Sequence, residues 1–297
     1  MTAPGAAAPV VTAVVVTWNS TASLPGTLDS LADHGPAVPY DVVVVDNASG
    51  DGSADLAEAH RLRPRVVRNR RNVGLAAGNN QGFALTSAEF LLVCNPDIVL
   101  RAGAVDAMLD CARRHPRAAF VLARLVYPDG ALQTGVGDLP TFREAYLGRR
   151  AARVRRDDSG YWWDGWPHDE ERRVGHGEEA CYLVRRAAVD EVGVQDPGYV
   201  LDWEGFDWAA RMADAGWEVW FTPDAEVVHL GGVSIRQAQA RWILSSHRGM
   251  HRYFAARSRP AVRPLLAVAV AARCAVKLAL LARPDRVYDR AHRVDAP

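Results

Sequence analysis

The sequence predicts an α/β protein with a mostly parallel central sheet covered by helices on both faces. Three observations carry that reading. Nearly unbroken apolar runs at 10–17, 42–45 and 90–94 have the composition of strands buried on both sides, where the in–out alternation of a half-exposed strand is lost. Each run is followed by a polar turn and then by residues with helical period. Polar and acidic residues collect where the runs end, the edge at which open α/β sheets bind ligands.

The elements follow in order. Residues 1–9, rich in Ala, Pro and Gly, lack the basic region and long apolar stretch of a secretion signal and read as a loose leader. The run 10–17 ends in Trp18-Asn19-Ser20; Ser23 offers a helix cap, and Leu24, Leu28 and Leu31 set a helical period. Strand 42–45 leads into Asp46-Asn47-Ala48-Ser49-Gly50-Asp51-Gly52-Ser53 and a helix over 54–62, and a third strand spans 65–68. A turn containing Asn72, Gly74 and Gly78 precedes a helix over 79–88, after which 90–94 is the fourth strand. Pro96 removes a backbone donor and fixes φ, so that strand stops there and Asp97 is held on a stiff turn. Val105, Met108, Leu109 and Cys111 mark a helix over 104–115.

Beyond it, a strand over 120–127 is closed by Pro128-Asp129-Gly130. The polar stretch 135–173, rich in Arg and carrying Trp162, Trp163 and Trp166, reads as a long loop with at most one short helix, of a length usually tied to function. A strand at 181–184, a short helix at 186–192, a helix at 204–215 closed by Gly216, and two strands at 217–221 and 225–229 follow. Helices over 237–256 and 264–284 end the chain as a C-terminal helical extension, 236–297.

Composition narrows the function classes. With 297 residues, 49% hydrophobic and 24% charged, the chain is long enough for a large core and has none of the marks of a disordered or fibrous protein. A formal net charge of zero gives no general electrostatic case for nucleic acid. Lys277 is the single lysine, and arginines crowd at 143–156 and 236–263; that bias suits anions, and equally suits a GC-rich genome. Cys94, Cys111, Cys181 and Cys274 have neither disulfide-framework nor zinc spacing, which fits a reducing cytoplasm.

Two short constellations carry chemistry. Asp46 ends a buried strand and is followed by small polar residues and glycines: its carboxylate can accept from a base N–H while the next amides meet phosphate, or the group is an Asx turn joining strand to helix. Asn95-Pro96-Asp97 is either a strand end with a helix cap or a metal-binding turn. No GxGxxG follows the first strand and no GxxxxGK[ST] occurs, so neither a dinucleotide site nor a P-loop is indicated.

Four segments together, Val14-Val15-Val16-Thr17-Trp18-Asn19, Val45 through Ser53, Asn72 through Gly82, and Asn95-Pro96-Asp97, resemble the family 2 inverting glycosyltransferases, and within them the rhamnosyltransferase-like branch. The resemblance covers most of the chain. It implies a GT-A fold, Rossmann-like with a mostly parallel sheet, in which 10–118 would bind the nucleotide-sugar donor and 119–235 the acceptor. Carried over by position, Thr17 and Asn19 flank the nucleotide and Asp46 reads its base. Asn72, Gly74 and Asn79 border ribose and diphosphate. Asn95 and Asp97 match the family's acidic metal motif with Asn in the first place; Asp97 would hold Mg²⁺ or Mn²⁺ together with water and diphosphate oxygens. His229, in Val227-Val228-His229-Leu230-Gly231-Gly232, resembles the late histidine that approaches diphosphate or metal.

Glu204, Asp207, Trp208 and Arg211 share one helix face, as a salt-bridged helix start also would. The family pattern there is E-D-x-D, and this chain has Glu204-Gly205-Phe206-Asp207, so Gly205 stands where a carboxylate often serves as general base. Glu204 and Asp207 jointly are the expected base. Glu178 and Glu179 occupy what is commonly a small-residue turn; they would contact the acceptor or balance Arg185 and Arg186.

The resemblance implies transfer of a sugar, rhamnose from dTDP-rhamnose above others, to a glycan or polyprenyl-diphosphate-linked acceptor in cell-wall or surface-polysaccharide assembly. Helix 264–284 contains Arg273 and Lys277, which argue against a membrane span; the arginines before it suit an interfacial helix at the inner face of the plasma membrane, and an ordinary docked C-terminal helix fits as well. Gly205 and Asn95 leave open a nucleotide-sugar-binding protein with impaired catalysis. A sugar nucleotidyltransferase lacks its lysine-containing Gly-rich signature here.

Overall fold

The computed structural model describes residues 8–148, 160–231 and 239–281. The leader up to residue 7, arginines 149–156, Val233 and Ser234, Arg236, and the end of the last helix lie outside the described residues.

Strand β1 (Val11–Thr17) is buried along its whole length, as its apolar run requires. It pairs in parallel with β2 (Tyr40–Asp46) on one side and β4 (Phe90–Cys94) on the other, and β3 (Arg65–Arg68) extends the sheet beyond β2. Four strands from the rest of the chain continue it: β5 (Ile98–Leu100), β6 (Ala118–Val126), β10 (Cys181–Arg185) and β11 (Glu218–His229). The order is β3-β2-β1-β4-β10-β6-β11-β5, and β8 (Arg172–Val174) pairs with β11. A small hairpin-like sheet joins β7 (Val136–Gly137) to β9 (His176–Gly177). The antiparallel β10 sits between β4 and β6, so both halves of the chain share one sheet.

Helices α1 (Leu24–His34) and α4 (Ala104–Arg114) cover one face, packing Leu24, Leu28, Leu31, Met108 and Leu109 against Val15 and Leu92. On the other face Phe83, Phe120, Tyr182 and Trp208 form a second core, into which Trp163 and Trp166 of the long loop are also buried. The short helices α2 (Ser53–Ala59), α5 (Phe142–Leu147) and α6 (Arg186–Val192) close the connections. A third cluster, with Tyr199, Trp203, Met250, Tyr253 and Leu266, fixes α8 (Gln239–Ala256) and α9 (Arg263–Leu281) to the second half.

Several expectations are corrected. Helix α3 spans Leu75–Phe83 rather than 79–88. Its glycines do not make a turn: a Cβ on Gly78 would come within 2.9 Å of Val16 and one on Gly82 within 2.4 Å of Val14, so they let the helix lie directly on β1. The expected strands at 217–221 and 225–229 are one strand, β11, with an irregularity between Thr222 and Glu226. Strand β5 was not expected at all; three residues are too few to show a period. Ser23 stands at the N-cap of α1, but its hydroxyl is buried with no hydrogen-bond partner. Cys94 and Cys181, remote in sequence, are register partners with sulfurs 3.9 Å apart, as free thiols.

Candidate active site

The parallel strands end together. Thr17 and Asp46 are register partners at the C-terminal ends of β1 and β2, and Asn95 directly follows β4. Asn19, at φ +51°, accepts from the Gly50 amide at 2.9 Å, and its own amide meets the Ser49 hydroxyl at 2.9 Å, so the first two loops are latched together. Asp51 reinforces the latch by accepting from Thr21 and Ser53, contacts that outweigh its partial burial and hold its carboxyl at about 2. Asp46 is 3% exposed; one carboxylate oxygen accepts from the Ser49 amide at 3.0 Å and the other is buried with no partner. A dry carboxylate oxygen without a donor is costly and calls for a ligand N–H. The buried Thr17 hydroxyl beside it is likewise unpartnered.

The third loop is bound to the second half of the chain. Asn72 accepts from the Gly74 amide at 2.9 Å. Gly74, at φ +91°, lies so close to Val200 that a Cβ would be 2.8 Å from its carbonyl oxygen. Asn79 is 1% exposed and donates to Gln195 at 3.0 Å, which places it under the floor of the cleft and leaves its carbonyl oxygen unpartnered. Asn47, not singled out from the sequence, donates to the Gly74 carbonyl at 3.2 Å and accepts from Asn69 at 2.9 Å, tying the second loop to the third.

Asp97 and His229 are brought together by β5. The antiparallel pairing of β5 with β11 sets His229 opposite Ile98, and the Leu230 amide donates to the Asp97 carbonyl at 3.0 Å. Thr27 on α1 fixes the start of β5, its hydroxyl donating to the Ile98 carbonyl at 2.8 Å. His229 Nε2 stands 3.4 Å from Asp97 Oδ1, while His229 Nδ1 is 3.0 Å from Gln133 Oε1. Gln133 Oε1 can only accept, so Nδ1 carries a hydrogen and the neutral ring turns the Nε2 lone pair toward the Asp97 carboxylate. Two lone pairs facing one another require a cation or a proton between them. Burial alone would lower the His229 pKa; the hydrogen bond and charge of Asp97 overcome it and raise it. A carboxylate, an imidazole with its outer nitrogen fixed, and the neighbouring Asn95 make a donor set that fits a divalent cation. Another grouping, Cys111, His115 and Glu171, also has ligand spacing, but it lies at the N-terminal end of β6, and Glu171 is held at about 2, its burial outweighed by bonds to Arg114 and His115.

Helix α7 (Glu204–Asp214) carries the acids of the second half. Asp207 binds Arg211 at 2.8 Å and Arg257 at 3.1 Å, so both of its oxygens are engaged by guanidinium groups. Glu204 is 4% exposed, with Oε2 unpartnered. Burial, with the Asp202 charge added, pushes its carboxyl up to about 8. Asp202 and Trp203, both at positive φ (+66° and +73°), form a strained turn leading into it. Glu179 does not balance Arg185 and Arg186, which donate to backbone carbonyls such as Ala118 and Thr86. It lies beside Glu204 instead, and burial, then the Glu204 charge, raises its carboxyl well above the usual range.

The fold is the GT-A fold of glycosyltransferases. The description of glycosyl transferase family 2 matches residues 12–167. The chain belongs to that family. It is 27% identical over 234 residues to an N-acetylglucosaminyl-diphospho-decaprenol L-rhamnosyltransferase of Mycobacterium tuberculosis, covering 74% of this chain and 76% of that one. Similar folds are those of a Pyrobaculum calidifontis mannosyltransferase solved with GDP-Man and Mn²⁺ (TM-score 0.55, 18% identity, 95% of this chain and 77% of that one) and GalNAc-T7 with UDP, GalNAc and Mn²⁺ (0.54, 16%, 75% and 44%). S. aureus TarS 1–349 with UDP-GlcNAc is a further one (0.52, 15%, 89% and 72%).

Proposed function

We propose that the protein transfers rhamnose from dTDP-rhamnose, with inversion, to a glycan or polyprenyl-diphosphate-linked acceptor used in cell-wall or surface-polysaccharide assembly. The observation that carries the reading is the shared strand edge at which Asp46 keeps one dry, unpartnered oxygen and Asp97 faces His229. The Mycobacterium relative supports the donor and acceptor classes.

In this reading Asp46 accepts from the pyrimidine N–H, and Thr17, Asn19 and Asn72 with Gly74 border the nucleoside and diphosphate. Asn79 supports that loop from below. Asp97 and His229, with Asn95 beside them, would hold Mg²⁺ or Mn²⁺, whose chemistry is to neutralise the departing diphosphate. The carboxylates at α7, Glu204 and Asp207, stand on the acceptor side. Glu204 holds its proton at neutral pH, whereas Asp207 is committed to its two arginines.

Work at the cytoplasmic membrane face is supported by α9. Leu265, Val268 and Val276 are 70%, 69% and 59% exposed on its outer side. Arg273, read from sequence as an argument against a membrane span, turns inward and donates to the Tyr146 carbonyl at 2.7 Å and to His247. Lys277 faces Trp242. Their charges leave the outer face apolar, as an interfacial helix needs.

A thermal-shift screen of dTDP-, UDP- and GDP-sugars with and without Mn²⁺ tests the donor. dTDP-rhamnose at about 100 times its dissociation constant stabilises by about 2.7 kcal/mol, and Asp46→Ala removes the shift. A larger shift with another nucleotide overturns the donor assignment; binding without any transfer favours a donor-binding protein with impaired catalysis.

A further inference from the structure

Gly205 is not an empty position. A Cβ built on it would lie 1.0 Å from Glu179 Oε1 and 1.8 Å from the Glu179 carboxyl carbon. The Glu179 carboxylate therefore occupies the volume that any side chain at Gly205 would enter. The two positions are complementary: a glycine in the first turn of α7 makes room, and a glutamate from the turn before β10 fills it.

Glu179 is placed for chemistry in three respects. It adjoins the metal turn, because the Asn95 amide donates to the Ala180 carbonyl at 2.7 Å and Cys181 pairs with Cys94. It is partly exposed, whereas Glu204 is sealed at 4%, so of the two it is the one a substrate hydroxyl can reach. It is also oriented by a buried polar chain. Asn79 donates to Gln195 Oε1 at 3.0 Å, Gln195 Nε2 donates to the Tyr182 hydroxyl at 3.2 Å, and that hydroxyl turns its hydrogen toward Glu179 Oε2 at 3.4 Å. The chain runs from α3, under the donor loop, to the carboxylate. Glu204, more than nine-tenths buried and with Oε2 unpartnered, adds a second acid beside it.

We propose that Glu179, seated over Gly205, is the general base of the transfer, with Tyr182 and Gln195 as positioning residues. This rests on the sugar-transfer reading given above. The acceptor O–H proton passes to a Glu179 carboxylate oxygen as the acceptor oxygen bonds to the anomeric carbon. The bond from that carbon to the diphosphate oxygen breaks, its electron pair leaves with the nucleoside diphosphate, and Glu179 then returns its proton to water.

The test is a carboxylate transplant. The full-length protein and its Glu179→Gln, Glu179→Gly, Gly205→Asp and Glu179→Gly/Gly205→Asp variants are assayed with dTDP-rhamnose and N-acetylglucosaminyl-diphospho-polyprenol, and their melting midpoints are recorded. Glu179→Gln should lower kcat by about 100-fold or more while the donor KM changes less than about 3-fold. Gly205→Asp alone should lower the melting midpoint, and adding Glu179→Gly should restore it. The double variant should regain at least about 10-fold in kcat over Glu179→Gly. Tyr182→Phe should shift the acid limb of the pH–rate profile with donor KM unchanged. A Glu179→Gln enzyme within about 3-fold of the unmodified protein overturns the base assignment alone. An unmodified protein that transfers from no nucleotide sugar overturns the reading beneath it, and the assignment with it.

Discussion

Glu204 makes stability depend on pH in a direction opposite to most paired carboxylates. Its folded carboxyl is raised from 4.5 to about 8 by burial and by Asp202, so between those values the folded protein holds a proton that the unfolded chain has released. Stability is therefore full below the lower value and falls as pH rises through the window, by an amount on the order of a few kcal/mol. Glu204→Gln should flatten the melting midpoint between pH 5 and 9, with the greatest gain over the unmodified protein at the alkaline end; equal slopes for both would show that Glu204 is not buried as described. At this scale the positions of Asp46 and Asp97 were legible in sequence, because each sits at the end of an apolar run whose geometry a short motif fixes. Glu179 was not. Its meaning depends on the side chain missing at Gly205, and that pairing exists only once α7 is folded over the turn before β10. Asn79 was legible as a loop residue, but its direction was not, because contact with Gln195 is a tertiary event.

The element that most directly builds the Asp97–His229 pair is β5, which no periodicity announces. Its register with β11 sets Asp97 beside His229, and Thr27 holds its first carbonyl and its first amide at 2.8 and 3.2 Å. Thr27→Val keeps the shape and removes both bonds, at about 1–2 kcal/mol. The Mn²⁺ concentration for half-maximal transfer should then rise several-fold while dTDP-rhamnose affinity in the absence of metal is unchanged; an unaltered metal requirement would separate β5 from the site. Helix α9 gives the second prediction at this scale. Replacing Leu265, Val268 and Val276 together by Glu should abolish sedimentation with anionic phospholipid vesicles and leave the melting midpoint within a few degrees, since those side chains touch solvent. Undiminished sedimentation would assign the face to another role. The helix itself was plain from its apolar run; the inward turn of Arg273 and Lys277 was not, because it is decided by His247, Tyr146 and Trp242.

For the whole molecule, the α/β class and the parallel β1, β2, β3 and β4 arrangement follow from strand composition, and their shared C-terminal edge predicts where the cleft lies. What sequence could not supply is the weave that completes it: β10 running antiparallel between β4 and β6 carries the Glu179 turn up to Asn95, and α7 brings Glu204 and Gly205 against that turn. The strand ends carrying Asp46 and Asn95 and the strand that follows the Glu179 turn thus belong to one sheet. The measurement that tests this most directly is transfer from dTDP-rhamnose to N-acetylglucosaminyl-diphospho-polyprenol, read by mass and by the anomeric configuration of the product, for the unmodified protein and Asp97→Asn. The account predicts one added rhamnose with inverted configuration in Mn²⁺, lost in EDTA and lowered about 100-fold or more by Asp97→Asn. Transfer with retained configuration, or transfer undiminished by both EDTA and Asp97→Asn, would contradict it.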